Sequence, residues 1–275
     1  MVPLFLKAPD WVRTADEAPH RSTAFRHATL HGRPGLWGDD PVHPTSAVWF
    51  REGDEGAWEA FGAGRSSPAI SWMAARAQGR PIALVAPPSW EGPIRLLGGR
   101  VEPWSIETWH RPKPTGSSIP RSQVPIHRLD QSDAPAFGAL APPWALRSWF
   151  DVATLFERGA AFGVRGNGGF FSLAWIYESD PDHDKLGVWT APPFRKLGLG
   201  RAVAWALVEH ILIDRRKSPL WVANSTNSAS IALAQWLGFQ VQAVERGLHW
   251  SPPRPLSPFG EPWHLDTSAR QGDRD

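Results

Sequence analysis

Apolar and polar positions alternate most regularly in the second half of the chain. Phe171, Leu173, Trp175 and Tyr177 point one way and Ser172 and Ala174 the other, which predicts a strand over 170–177. A strand over 160–165 precedes it, and Gly166-Asn-Gly-Gly169 supplies hairpin chemistry. After a polar tip at 179–184 another strand is expected over 185–190. The pattern then changes period. Val203, Leu207 and Ile211 form one helical stripe, predicting a helix over 200–214. A strand at 220–223 follows, then a helix at 226–237 with Leu233, Trp236 and Leu237 on one side. Gly238 caps that helix, and a strand returns over 239–244. Upstream, 124–129 reads as a strand, and 132–158 as one or two helices interrupted by Pro142 and Pro143.

The first half gives a sparser pattern. Short strands at 46–50 and 57–61 flank turn residues at 52–56. A helix over 68–78 ends at Gly79, and 81–86 is an apolar strand. Residues 112–123 hold three prolines and no apolar period, so they read as a linker. This divides the chain into an N-terminal mixed α/β domain (1–123), a second domain (124–250) and a tail (251–275), where Trp263 and Leu265 are possible anchors.

Composition narrows the function classes. The 275 residues contain no cysteine, which excludes disulfides, thiolate metal sites and a cysteine nucleophile. Lys7 and Asp10 interrupt the apolar start a signal peptide needs, and no 18-residue apolar run exists. The expectation is a soluble, cytoplasmic protein without a membrane partner. The net charge is +2, and the charge is evenly split between the halves, which argues against a nucleic-acid partner. The 17 tryptophans and 28 prolines read first as architecture. His27 and His31 have helical spacing but no third ligand, so they read as structural or surface residues and no metal is expected.

The most informative segment is Arg195-Lys196-Leu197-Gly198-Leu199-Gly200-Arg201, between a strand and a helix. Successive amides in such a loop, with the helix N-terminus, suit a pyrophosphate, and glycines let it approach the backbone. The segment lacks the third glycine of the dinucleotide fingerprint and the Gly-Lys-Ser/Thr ending of the Walker loop. Arg-x-x-Gly-x-Gly after a strand, followed by helix, strand, Asn227, helix and Leu-Gly-Phe239, resembles the GNAT superfamily of acyl-CoA N-acyltransferases. More narrowly, 188–200 and 221–239 look like the branch that includes the zwittermicin-resistance acetyltransferases. The resemblance implies a mixed, mostly antiparallel sheet flanked by helices over about 125–250. The first half's strand–strand–helix–strand order suggests a smaller, reduced copy of that fold without a cofactor site.

The resemblance also implies roles. Amides of 195–201 would cradle the CoA pyrophosphate. Backbone groups around Val188, Trp189 and Thr190 would pair with the pantetheine arm, one of them polarising the thioester carbonyl. Asn227 would reach the pantetheine and Ser230 a phosphate; an ordinary helix serine is the other reading of Ser230. Two departures stand out: the family's frequent thiol-protonating tyrosine is Ala234 here, and the branch's acidic residue before the strand threonine is Trp189. Glu178 and Asp184, flanking the polar tip, are the candidates for deprotonating the amine, and otherwise solvated hairpin charges; His183 between them is a further candidate base or a surface turn residue. The expected activity is transfer of an acetyl group from acetyl-CoA to a small amine by direct attack in a ternary complex. The alternatives are a non-catalytic acyl-CoA-binding protein and a single-strand nucleic-acid binder using Trp and Arg.

Overall fold

The computed structural model describes residues 2–3, 19–40, 44–53, 56–110, 124–166 and 168–253. The expected linker at 112–123, most of the expected tail and Asn167 of the hairpin lie outside the described residues. In the first half the elements are β1 (Val2–Pro3), α1 (Pro19–Leu30), β2 (Leu36–Gly38), β3 (Ser46–Glu52), β4 (Trp58–Gly64), α2 (Ser67–Ala77), β5 (Ile82–Val85), α3 (Glu91–Leu96) and β6 (Arg100–His110). The second half has β7 (His127–Arg128), α4 (Ala134–Leu140), α5 (Val152–Arg158), β8 (Ala161–Gly166), β9 (Gly169–Ser179) and β10 (His183–Thr190). It continues with α6 (Leu199–Ile213), β11 (Ser218–Asn224), α7 (Ser228–Trp236) and β12 (Gln240–Ser251).

Most locally patterned elements form where the periodicity places them. The strand expected at 124–129 shortens to β7, and the one expected at 239–244 extends to twelve residues in β12. Neither α1 nor β6 is predicted by period. The buried face of α1, with His20, Thr23, Ala24, His27 and Ala28 at helical spacing beside Phe25, mixes polar with apolar side chains and so shows no hydrophobic stripe in sequence. Its polar groups find partners instead: the His20 amide donates to Glu245 Oε1 at 2.8 Å, and Arg21 Nε to Glu245 Oε2 at 3.1 Å. Strand β6 carries Pro103, tolerated because β6 pairs with β11 only from Ile106 to His110 and leaves that edge free earlier.

All strands join one sheet of order β1-β2-β3-β4-β5-β12-β6-β11-β10-β9-β8-β7. The fold is mixed α/β, its sheet largely antiparallel and flanked by helices. Among the described strands only β4–β5 and β10–β11 pair in parallel. Each parallel pair is bridged by one helix, α2 or α6, and each is followed by a helix and a long strand. The two long strands are exchanged: β6 of the first half lies against β11, and β12 of the second half against β5. Thus the sheet continues without a break across the expected boundary near residue 123. Burial of Val203, Leu207, Val208 and Ile211 clamps α6 to the sheet, at about 1.5–3 kcal/mol per side chain, and so fixes its N-terminus beside the end of β10.

Candidate functional site

Strands β10 and β11 pair only over His183–Lys185 with Ser218–Leu220. Beyond that they diverge. From Leu186 to Thr190, β10 keeps its bonds to β9, while β11 turns to β6 from Leu220 to Asn224. The β11-facing edge of β10 is therefore left without a ladder partner over five residues, in the interior of the sheet. Residues opposite in register share a face, so Gly187 and Trp189 lie with Trp175 and Leu173, and Val188 and Thr190 with Ala174 and Ser172. The second set faces α6: a Cβ on Gly200 would lie 3.1 Å from Thr190 Oγ1 and 3.8 Å from Val188 Cγ1. The first face is closed by aromatics, since a Cβ on Gly187 would meet Trp175 at 2.7 Å and Trp144 at 3.0 Å.

The loop at the open end of β10 makes a tight turn at Pro192–Phe194 and reverses through Lys196 and Gly198. Both have left-handed φ, 64° and 82°, an unusual conformation for lysine. Gly198 is the N-cap of α6, and nothing lies within 4 Å of where its Cβ would be. The two glycines thus serve different needs: Gly198 the backbone angle and an open surface, Gly200 close helix–strand packing. The first α6 amide to bond within the helix is that of Ala202, to Gly198 O at 3.1 Å. The amides ahead of it and the helix dipole together favour an anion. Arg195 Nε donates to Thr190 O at 3.1 Å, tying the loop to the strand, while Leu197 is 66% exposed. Leu199 is buried and Arg201 exposed.

The other expected cofactor residues have structural bonds of their own. Asn227 is the N-cap of α7, its Oδ1 accepting from the Ser230 amide at 3.1 Å. Ser230 Oγ accepts from Trp221 Nε1 at 3.0 Å, and Ala234 is fully buried. Ser172 Oγ lies 2.8 Å from Thr190 Oγ1 and donates to Trp189 O at 3.1 Å.

Glu178 and Asp184 are not solvated hairpin charges. Both are completely buried. Glu178 Oε2 pairs with Lys185 Nζ at 2.5 Å, and Oε1 with Arg51 Nη2 at 3.3 Å and with the Ser148 hydroxyl at 3.0 Å. Burial alone would raise its carboxyl, but Lys185 and Arg51 outweigh burial and hold it far below the usual range. Asp184 is held by Arg215 at 2.5 and 3.2 Å, and Ser179 Oγ donates to it at 2.6 Å. Burial and ion pairing correct the solvated-hairpin reading of both, and a carboxylate so paired is poorly placed to take a proton from an incoming amine.

These pairs belong to a buried network that joins the halves. Lys185 Nζ also donates to His20 O at 2.7 Å, and burial lowers its pKa. His27 Nδ1 accepts from the Ser179 amide at 2.9 Å, and Nε2 donates to Ser148 O at 2.7 Å. Burial lowers the His27 pKa to about 3, so the ring is neutral. Sequence reasoning missed Arg51, Ser148, His20 and Lys185, which lie as far apart as 165 positions and leave no local pattern. His183 Nδ1 lies 3.3 Å from Asp180 Oδ1. Asp180, Asp182 and His183 approach one another within 4.8 Å, and Arg26 pairs with both carboxylates.

Residues 130–244 match the family model for GNAT acetyltransferase. No curated protein matches the chain. A GCN5-related N-acetyltransferase-like protein from Streptococcus suis shares 21% identity with a TM-score of 0.60, over 78% of this chain and 87% of its own. A GCN5-related N-acetyltransferase from Kribbella flavida shares 15% identity and a TM-score of 0.57, covering 86% of this chain and 96% of that one. A tandem GNAT protein from the clavulanic acid biosynthesis pathway shares 13% and 0.55, over 89% and 95%. In sequence over 130–244, and in fold over most of its length, this chain resembles the GNAT superfamily of acyltransferases.

Proposed function

We propose that the protein is an acetyl-CoA-dependent N-acetyltransferase acting on the amine of a small molecule. The observation that carries this reading is the unpaired edge of β10 from Leu186 to Thr190, ending in a glycine loop on the α6 N-terminus. An extended pantetheine arm would add to that edge as a strand, its pyrophosphate over the amides of 198–200. An edge amide near Val188 would donate to the thioester carbonyl and stabilise the oxyanion formed when the amine attacks. Collapse of that adduct forms the amide and releases CoA as its thiolate, the surplus proton on nitrogen passing to solvent. The α6 face of β10 would hold the arm, and the face of Trp175, Trp144 and Trp189 would border the acceptor. Residues 124–250 would bind the thioester, and the first half would complete the sheet around it.

A second reading has its own support. Glu178 and Asp184 are occupied by ion pairs, and Ala234 offers no proton where a tyrosine often stands. A protein with this cradle but no acid or base would bind acyl-CoA without turning it over. Thiol release from acetyl-CoA with a panel of small amines separates the two. Amine-dependent release well above hydrolysis supports the enzyme, and tight binding with no release supports the binding protein. Absence of acetyl-CoA binding at millimolar concentration by calorimetry contradicts both.

A further inference from the structure

Taken together, the two stretches that form the groove carry basic but no acidic side chains, although the whole chain is nearly neutral. No carboxylate occurs from residue 185 to 208 or from 218 to 244. Those two stretches hold β10 beyond its first two residues, the loop, the start of α6, β11 and α7. The same region presents Arg195, Lys196 and Arg201 on its surface. Arg195 is partly spent on Thr190 O. Among the described residues, neither Lys196 nor Arg201 has a carboxylate partner. Arg201 is held differently: its guanidinium carbon lies over the ring of Trp236, the last residue of α7, 4.9 Å from the ring centroid. Trp236 is itself 39% exposed, in a chain whose other large tryptophans include several completely buried.

A guanidinium held over an indole loses less further freedom on binding, and its N–H groups turned away from the ring remain available to an anion. A phosphate monoester fits those groups better than a carboxylate, because it offers several acceptor oxygens and up to two charges. The loop amides already account for the diphosphate in the proposed reading. The CoA group left over is the 3′-phosphate of the adenosine end. We propose that Arg201, fixed on Trp236 and assisted by Lys196, is the seat of the 3′-phosphate, so that the groove distinguishes CoA from dephospho-CoA. This rests on the reading of the groove as a CoA site. Arg201 is here a binding residue, and Trp236 a positioning residue that acts through it.

The test is calorimetric titration of the full chain with CoA and with dephospho-CoA, in wild type, Arg201→Ala, Arg201→Lys and Trp236→Phe. Wild type should bind CoA at least about tenfold more tightly than dephospho-CoA. Arg201→Ala should bring CoA down to the dephospho-CoA level and leave dephospho-CoA unchanged, while Arg201→Lys should recover part of the difference. Trp236→Phe, which keeps a weaker aromatic face, should fall between. Equal affinity of wild type for both ligands, or equal weakening of both by Arg201→Ala, overturns the seat and leaves the groove standing. Binding of neither ligand by folded wild type overturns the groove itself. Exposure of Arg201 keeps the variants foldable, and a melting curve for each checks this.

Discussion

The two parallel strand pairs begin alike and end differently. In the second half, β10 separates from β11 after three residue pairs, and its free edge leads to a glycine loop on α6. In the first half, β4 pairs with β5 over Trp58–Phe61, and the edge beyond is covered by Trp90. That indole is completely buried, donates its N–H to Gly64 O at 2.8 Å, and lies 2.5 Å from where a Cβ on Gly62 would be. The helix starts differ as well. Pro68 removes a donor from the first turn of α2, whereas Leu199, Gly200 and Arg201 all keep theirs in α6. A common strand–helix–strand frame is therefore no guide to binding. What sets the halves apart is an occupied edge and a missing amide in one, a free edge and an open glycine in the other. On the proposed reading, the described residues hold one cofactor groove, and the first half is its structural companion.

The sharpest attempt to break that contrast is Trp90→Ala. It should cost about 3–5 kcal/mol of stability as a large buried cavity, lowering the melting temperature, without creating a second CoA site. A second equivalent of CoA bound by this variant would show that the indole alone separates the halves. Next in size, Gly198→Asp should weaken CoA binding by about 2–4 kcal/mol, roughly 30- to 1000-fold, through a carboxylate placed where the phosphates would lie. Gly200→Asp acts also on the packing against Thr190, so its loss of affinity should come with a lower melting temperature.

The buried network sets a pH dependence. His27 has a folded pKa of about 3 against about 6.5 unfolded, so between those values the unfolded chain binds the extra proton. Its contribution is complete above about pH 6.5 and is lost as the pH falls towards 3, by roughly 1.4 kcal/mol per unit within that window. Glu178, also depressed, acts in the same direction at lower pH, below its unfolded value. Melting temperatures at pH 7, 6 and 5 should fall in that order, with a shallower fall in His27→Asn. The smallest effect is expected for Asn227→Ala, about 1 kcal/mol in CoA affinity, together with a similar loss from the α7 cap. A Gly198→Asp effect smaller than that of Asn227→Ala would reverse the account of the cradle.

What was legible in the sequence was local. The β9 alternation, the α6 stripe and the Arg195–Arg201 loop are set by residues within a few positions of one another. The loop's spacing alone located the turn that the structure places at the free strand edge. What was not legible is long-range. Helix α1 carries His20, Arg21, Arg26 and His27 and looks like a surface helix, until partners as distant as Glu245 satisfy them inside. The exchange of β6 and β12 depends on pairings between halves, which no period encodes. Glu178 and Asp184 look solvated beside Asp182 and His183, and only the fold brings Arg51 and Arg215 onto them. No helix among the described residues is long and apolar enough to cross a membrane.

The most direct measurement is an isothermal titration of the full chain with acetyl-CoA, run beside Trp90→Ala and Gly198→Asp. The account predicts one equivalent bound by wild type, one by Trp90→Ala, and binding weakened at least 30-fold in Gly198→Asp. Two equivalents in wild type, or undiminished binding by folded Gly198→Asp, would contradict it.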